Sequence, residues 1–537
     1  MICRHLLLLL VAFFASFTLS ASTIQVSGNI ASNTTWSADT VKVVGNLTLN
    51  TNIVLTINPG TVVMFMGFYN IASTGHIHAV GTATDSIRFT YHDTTGLSNN
   101  SIPTGGWIGI NSQNITPSST DSTRFIYCVI EYAKEAGANS TGALQFRNFS
   151  NAVISHCTFR YNKFKTFYGA IFVSDSTSMI ITHNEFHHNT AGSGAGIACF
   201  YSSNPLIFGN SFHHNWSNLT GGAIHCQYAS CPRIVNNFMC NNSTKVGNCG
   251  PGEGGGAIRC LYQSHAYIAN NVIANNTTGV FGGGIDCKYG AYPTIENNTI
   301  VNNYAAGGLG GGILIQEAGA YLRNNIIWGN TTIGGGNQVT WMSADSTLQM
   351  GGALDNNCVV NSSSELYFTQ LVNYTGTIQN NITTPPQFIN PSAGAGIGFD
   401  GLNADWRLQT TSNCINLGTG GVNSLLPSID LWGNPRHSGW QYDIGAFEDP
   451  TVSSVPGIDD ATFAIYPNPA NRFIILEPTT TEQYTATLYD LSGRIILTVN
   501  ANGNSVLQIP EKVATGIYML RIVSNDAMIE KKVVIEK

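Results

Sequence analysis

Three ionisable side chains occupy one slot of a phrase that otherwise hardly changes: His225 in GGAIHCQY, Arg259 in GGAIRCLY and Asp286 in GGIDCKY. The alternation Ile-x-Cys has the period of a strand, so Ile and Cys point to one side and the variable residue to the other. The outward slot reads Gln145, Phe172, Ala198, His225, Arg259, Asp286 and Leu314 in successive copies. The next outward slot reads Arg147, Ser174, Phe200, Gln227, Leu261, Lys288 and Gln316. This predicts a solvent-facing polar patch of His225, Gln227, Arg259, Asp286 and Lys288, flanked by Phe172 and Phe200. Arg259 or Lys288 could abstract a proton next to a uronate carboxylate, a lyase step that requires a depressed pKa. Asp286 could serve hydrolysis given a second carboxylate, for which Glu253 and Glu317 are candidates. The patch could also hold a glycan without reacting, rings against sugar faces and polar groups against hydroxyls. The plainest alternative is an exposed Arg259–Asp286 pair that contributes little. The phrase FHHN occurs twice and brings His187 and His188 near His213 and His214, four imidazoles that could hold a transition metal or simply stack. No cofactor is expected, and Ca²⁺ only if the chain is a lyase, for which no carboxylate cluster is visible.

These side chains are positioned by a repeat. Segments ending at Asn162, Asn189, Asn215, Asn242, Asn276, Asn303 and Asn330 share a pattern, at steps of 27, 26, 27, 34, 27 and 27 residues. Periods of this size mean stacked coils, and no helical stripe runs long enough to place a helix in each. A β-solenoid follows, each residue above its counterpart at the strand spacing of about 4.8 Å. Three inward ladders are predicted as core. The first runs Leu144, Ile171, Ile197, Ile224, Ile258, Ile285, Ile313. The second is Phe146, Val173, Cys199, Cys226, Cys260, Cys287, Ile315, and the third Phe159, Phe186, Phe212, Met239, Ile273, Ile300, Ile327. The four ladder cysteines act there as small hydrophobes. The Asn column is expected to cap a turn and to bond the Asn above and below. The longer step marks an insertion, which a Cys240–Cys249 disulfide is expected to close.

Composition agrees. Of 537 residues, 10% are charged, against roughly 25% in ordinary globular proteins, and Gly, Asn, Ser and Thr replace them. The net charge is −7 and no Lys/Arg cluster exists to track phosphates, so nucleic acid is not an expected partner. The opening MICRHLLLLLVAFFASFTLSAS reads as a secretory signal over residues 1–21, and no membrane span is expected. Twelve cysteines less Cys3 of the signal leave eleven, an odd number, in a compartment where disulfides persist.

Residues 125–362 resemble a right-handed parallel β-helix of the pectate-lyase-like superfamily, and LTLNTNIVLTINPGTVVMF upstream is similar to the opening coils of secreted bacterial β-helix proteins. DLWGNPRHSGWQYDIGAFE resembles the closing segment called choice-of-anchor Q, through Asp430, Gly433 to Arg436 and Asp443 to Glu448. Its charged residues are expected to pair and lock the cap. FAIYPNPANRFIIL, ATLYDLSGRIIL and ATGIYMLRIVS resemble, in that order, the type A C-terminal sorting domain of the type IX secretion system. That resemblance implies export through the secretion machinery, removal of the tail, and a product released or held at the cell surface. Six triplets beginning at Asp39, Asp85, Asp93, Asp121, Asp175 and Asp345 look like the O-glycosylation motif of bacteria that use this route.

The expected fold is all-β. After the signal come N-terminal coils and cap over 22–124, parallel β-helix repeats over 125–362, and a closing segment over 363–448. A linker over 449–461 then leads to a small β-sandwich over 462–537. The expected function is binding or display toward glycans, with a polysaccharide lyase or glycoside hydrolase in the β-helix groove as the alternative.

Overall fold

The computed structural model describes residues 21–115, 122–136, 142–166, 168–245, 254–419, 426–436, 441–449, 463–478, 483–490, 494–524 and 528–536. The signal segment lies outside them except for its last residue, as do Cys249, Glu253 and Asp121.

Strands stack in parallel from Thr23–Ile30 to Thr377–Gln379. A representative coil runs through Ile224–Gln227, Arg233–Val235, Phe238–Cys240 and the two-residue strand Ser243–Thr244. Each strand pairs with its counterpart one coil on, so three long parallel faces and a shorter fourth wrap one core.

The predicted register holds. Leu144 pairs with Ile171, Ile171 with Ile197, Ile197 with Ile224, Ile224 with Ile258, Ile258 with Ile285, and Ile285 with Ile313. Every residue of the three inward ladders is buried. Cys199, Cys226, Cys260 and Cys287 are free thiols within this core. Parallel strands buried on both faces take aliphatic residues for this reason: each inward side chain meets its copies above and below.

The Asn column bonds the Asn above and below as expected, but it does not itself take the left-handed backbone of the turn. The left-handed residue of the turn is the one before it, such as His188, His214 or Asn241, with φ between 53° and 55°. The column itself is buried. Each amide Nδ2 donates to the next Asn Oδ1 at 2.9–3.0 Å and to a carbonyl of the preceding coil, as Asn189 does to Phe159 O. A second such ladder runs through Asn184, Asn210, Asn237, Asn271, Asn298, Asn325 and Asn357. Both satisfy buried turn groups that would otherwise each cost about 1–3 kcal/mol.

Cys240 is a free, buried thiol packed with Val272, Ala274 and Trp406. The described end of the predicted Cys240–Cys249 bridge is therefore unbridged: burial against the closing segment, not a covalent link, anchors this end of the insertion.

After the last coils the chain folds back along the solenoid. Asn241 donates to Phe399 O, Asn275 to Gly394 O and Asn324 to Thr419 O. As expected, charged groups lock this segment, one ion pair and one carboxylate held by amides among them. Arg436 Nη1 lies 2.9 Å from Glu448 Oε1, and Asp430 accepts from the Trp432, Asn434 and Glu448 amides. Four of the Asp-Ser/Thr triplets expose their hydroxyl residue: Ser86, Thr94, Ser176 and Ser346. The tail forms antiparallel sheets of three and four strands around Ile474, Leu476, Leu488, Leu507, Leu520, Ile522 and Val533.

Candidate functional site

The slot that varies chemically is not a surface. His225, Arg259, Asp286 and Lys288 are each 0–1% exposed, and Gln227, Phe172 and Phe200 are buried too. Strand alternation correctly puts these side chains outside the solenoid core, but further chain covers them. Gly221, Gly255, Gly282 and Gly310 each stand four residues before the slot, with φ between 60° and 75°. A Cβ at these positions would lie 3.2, 3.1, 2.8 and 2.9 Å from the Cβ of His225, Arg259, Asp286 and Leu314 respectively. The paired glycines thus let the backbone lie directly on the slot, and only a residue without a side chain fits so close.

Beneath this cover, Asp286 Oδ2 lies 3.5 Å from both Arg259 Nε and Lys288 Nζ. Lys288 Nζ also sits 5.6 Å from the Phe281 ring centroid. Burial pushes the Asp286 carboxyl up and the Lys288 ammonium down, while their mutual charges oppose both shifts. His225 donates from Nε2 to Gln227 Oε1 at 2.9 Å, and its Nδ1 lies 3.0 Å from Thr220 Oγ1. The five polar residues do form one cluster, as the sequence predicts. Sealed from solvent, the cluster is a polar layer between sheet and covering loops, and neither a polymer substrate nor a glycan reaches it there.

One consequence is acid sensitivity. Burial, reinforced by the Arg259 cation, holds the His225 imidazole down at about 3, against an ordinary 6.5. The folded state therefore takes up this proton less readily than the unfolded chain. The stability concerned is present above 6.5 and is lost as pH falls from 6.5 toward 3, to a limit of about 5 kcal/mol. Melting temperature followed from pH 7.5 to 4 is expected to fall more steeply for the wild type than for His225→Gln. Parallel curves would refute the assignment.

The FHHN imidazoles meet as predicted. His187 stacks on His213 and His188 on His214, with centroids 5.2 and 5.3 Å apart. Burial lowers His187 to about 4. Among the described residues no group of three or more His, Cys, Asp or Glu converges to hold a metal.

What sequence reasoning missed stands at the end of the same phrase. Tyr201, Tyr228, Tyr262 and Tyr289 follow the slot strands on four successive coils and stack, with centroids 5.0, 5.4 and 5.5 Å apart and planes within 18°. The first three are 51%, 41% and 41% exposed. Stacked rings cover one another's faces, so the row presents ring edges and phenol groups along the solenoid axis. All four have positive φ, between 48° and 56°. That region is costly for a bulky residue, by about 1–3 kcal/mol. The turn itself does not demand an aromatic, since Asn148, Asp175 and Glu317 take the same place on other coils at φ of 47°, 59° and 48°. The recurring Tyr after C-x was the available signal.

Residues 85–243 match the family model described as a right-handed β-helix region, and residues 464–536 match that of the secretion system C-terminal sorting domain. No curated protein matches the chain. With the parallel coils, these matches define the class: a right-handed parallel β-helix. The chain is, more particularly, a β-helix protein that carries a type IX sorting domain at its C-terminal end. Among the described residues no helix is long and apolar enough to cross a membrane.

Proposed function

We propose that this exported β-helix holds an extended polysaccharide, without cleaving it, along the row Tyr201–Tyr228–Tyr262–Tyr289, and acts released from the cell or attached to its surface. The exposed, evenly spaced phenol row carries this reading. A phenol both donates and accepts hydrogen bonds, and four of them repeat once per coil, stacked ring on ring. Sugar hydroxyls of an extended chain recur at a comparable interval. Phe200 packs edge-on to His225, Tyr201 and Tyr228, so the sealed layer below supports the row from behind. Asp175 and Glu317 occupy the same turn position on the flanking coils and favour a neutral or cationic chain over a polyuronate.

Tyr228→Asn and Tyr262→Asn suit the test, because Asn tolerates the left-handed turn. On a polysaccharide array, each is expected to weaken capture by about 1–2 kcal/mol, the scale of a lost hydrogen bond with its contact, while melting temperature stays near wild type. Capture unchanged in the double variant would refute the assignment. Ultraviolet absorbance from unsaturated uronates, produced by the wild type on the same panel, would instead restore the lyase reading.

A further inference from the structure

The two FHHN rungs contain a geometry that stacking alone does not require. His213 Nε2 lies 3.1 Å from Glu185 Oε1. A carboxylate only accepts, so this nitrogen carries the proton, and in the neutral imidazole His213 Nδ1 is left with its lone pair. That lone pair faces His214 Nδ1 at 3.1 Å, across rings turned 89° to each other. One coil earlier His187 Nδ1 and His188 Nδ1 lie 2.9 Å apart in the same arrangement.

Two nitrogens bound at about 2.0–2.1 Å and at right angles to one metal stand about 2.9 Å apart, whereas tetrahedral ligands stand about 3.3 Å apart. The His187–His188 rung stands at the right-angled spacing of square-planar or octahedral ions, and the His213–His214 rung, at 3.1 Å, lies between the two spacings and reaches the right-angled one by closing about 0.2 Å. The placement is also specific. On the next three coils the same pair of positions holds Cys240 and Asn241, Ala274 and Asn275, then Val301 and Asn302. There the Asn side chains bind Phe399 O, Gly394 O and Ser392 O of the closing segment. Imidazoles occur on the two coils before this cover, and His188 and His214 remain exposed.

We propose that the His213–His214 rung binds a divalent transition cation of the Cu²⁺ or Ni²⁺ type through both Nδ1 atoms, with Glu185 holding His213 in the ligating tautomer. The cation takes the place of the proton shared between the two nitrogens, His214 carries its proton on Nε2 instead, and solvent completes the coordination. Glu185 is a positioning residue, the carboxylate behind a metal-bound histidine. Among the described residues no carboxylate bonds the His187–His188 rung, which is the weaker of the two.

The test uses the full chain without an affinity tag. Cu²⁺ is titrated calorimetrically, and the bound ion is examined by electron paramagnetic resonance. The tightest site is expected to show coupling to two imidazole nitrogens. His214→Asn should abolish it, Glu185→Ala should weaken it about 10-fold or more, and His188→Asn should leave it in place. Asn is native at this turn position on later coils, so these variants keep the backbone. Tight Cu²⁺ binding that survives His214→Asn, or that His188→Asn removes instead, would overturn the assignment. So would a wild type that binds no Cu²⁺, which would mean the rungs are N–H···N hydrogen bonds only.

Discussion

Asp286→Ala is expected to destabilise the β-helix by about 3–5 kcal/mol, the range for removing one partner of a buried ion pair. The carboxylate lies between Arg259 and Lys288, all three essentially without solvent contact. Its removal leaves two cations facing one another in a layer that water does not reach. Arg259→Ala should also be costly, through lost packing under the glycine turn as well as lost charge. Replacing the trio together, as Arg259→Leu, Asp286→Leu and Lys288→Met, should cost much less than Asp286→Ala alone, because no uncompensated charge remains. Chemical denaturation of the three proteins decides this. An Asp286→Ala protein as stable as wild type would mean that solvent enters the layer and that the slot is a surface after all.

Deleting residues 463–537 should have an all-or-none effect on location. The tail has a core of its own, with no residue shared with the solenoid's clusters, so the solenoid core is complete without it. The truncated chain should fold and stay in the periplasm, whereas the full chain passes the outer membrane. Fractionation of cells expressing each form, with detection of the β-helix, measures this. Equal extracellular amounts would show that the sorting domain is dispensable for export.

The inward ladders were legible to the residue, because alternation assigns the side and the repeat assigns the partner. Leu144, Ile171, Ile197 and Ile224 could be aligned from the sequence and are aligned in the coils. The slot between them was legible only in part. Alternation states on which side of a strand His225 or Asp286 lies, not what chain is laid over that side. The cover depends on a glycine turn four residues earlier whose path no periodicity encodes. The tyrosine row escaped for another reason: a bulky side chain at positive φ runs against local preference, so pattern reasoning assigns such a turn to Gly or Asn. The second Asn ladder was visible in the opening letters of GNSF, NNVI and NNTI, but its role depends on burial, which composition does not report.

The paired amide ladders also bear on how such a chain changes length. Each Asn Oδ1 receives both donors of the Asn one coil before, and nothing in that contact depends on how many residues intervene. The 27-residue and 34-residue steps make the same bonds, as Asn215 does to Asn242 and Asn242 to Asn276. A whole coil can therefore be excised or duplicated and the ladders close across the junction, while surplus residues are tolerated only between rungs. Part of a coil cannot be lost without orphaning a rung. Growth and shrinkage in the lineage of this chain should thus be counted in coils, and any row on its surface, phenol or imidazole, is shortened or extended one place at a time.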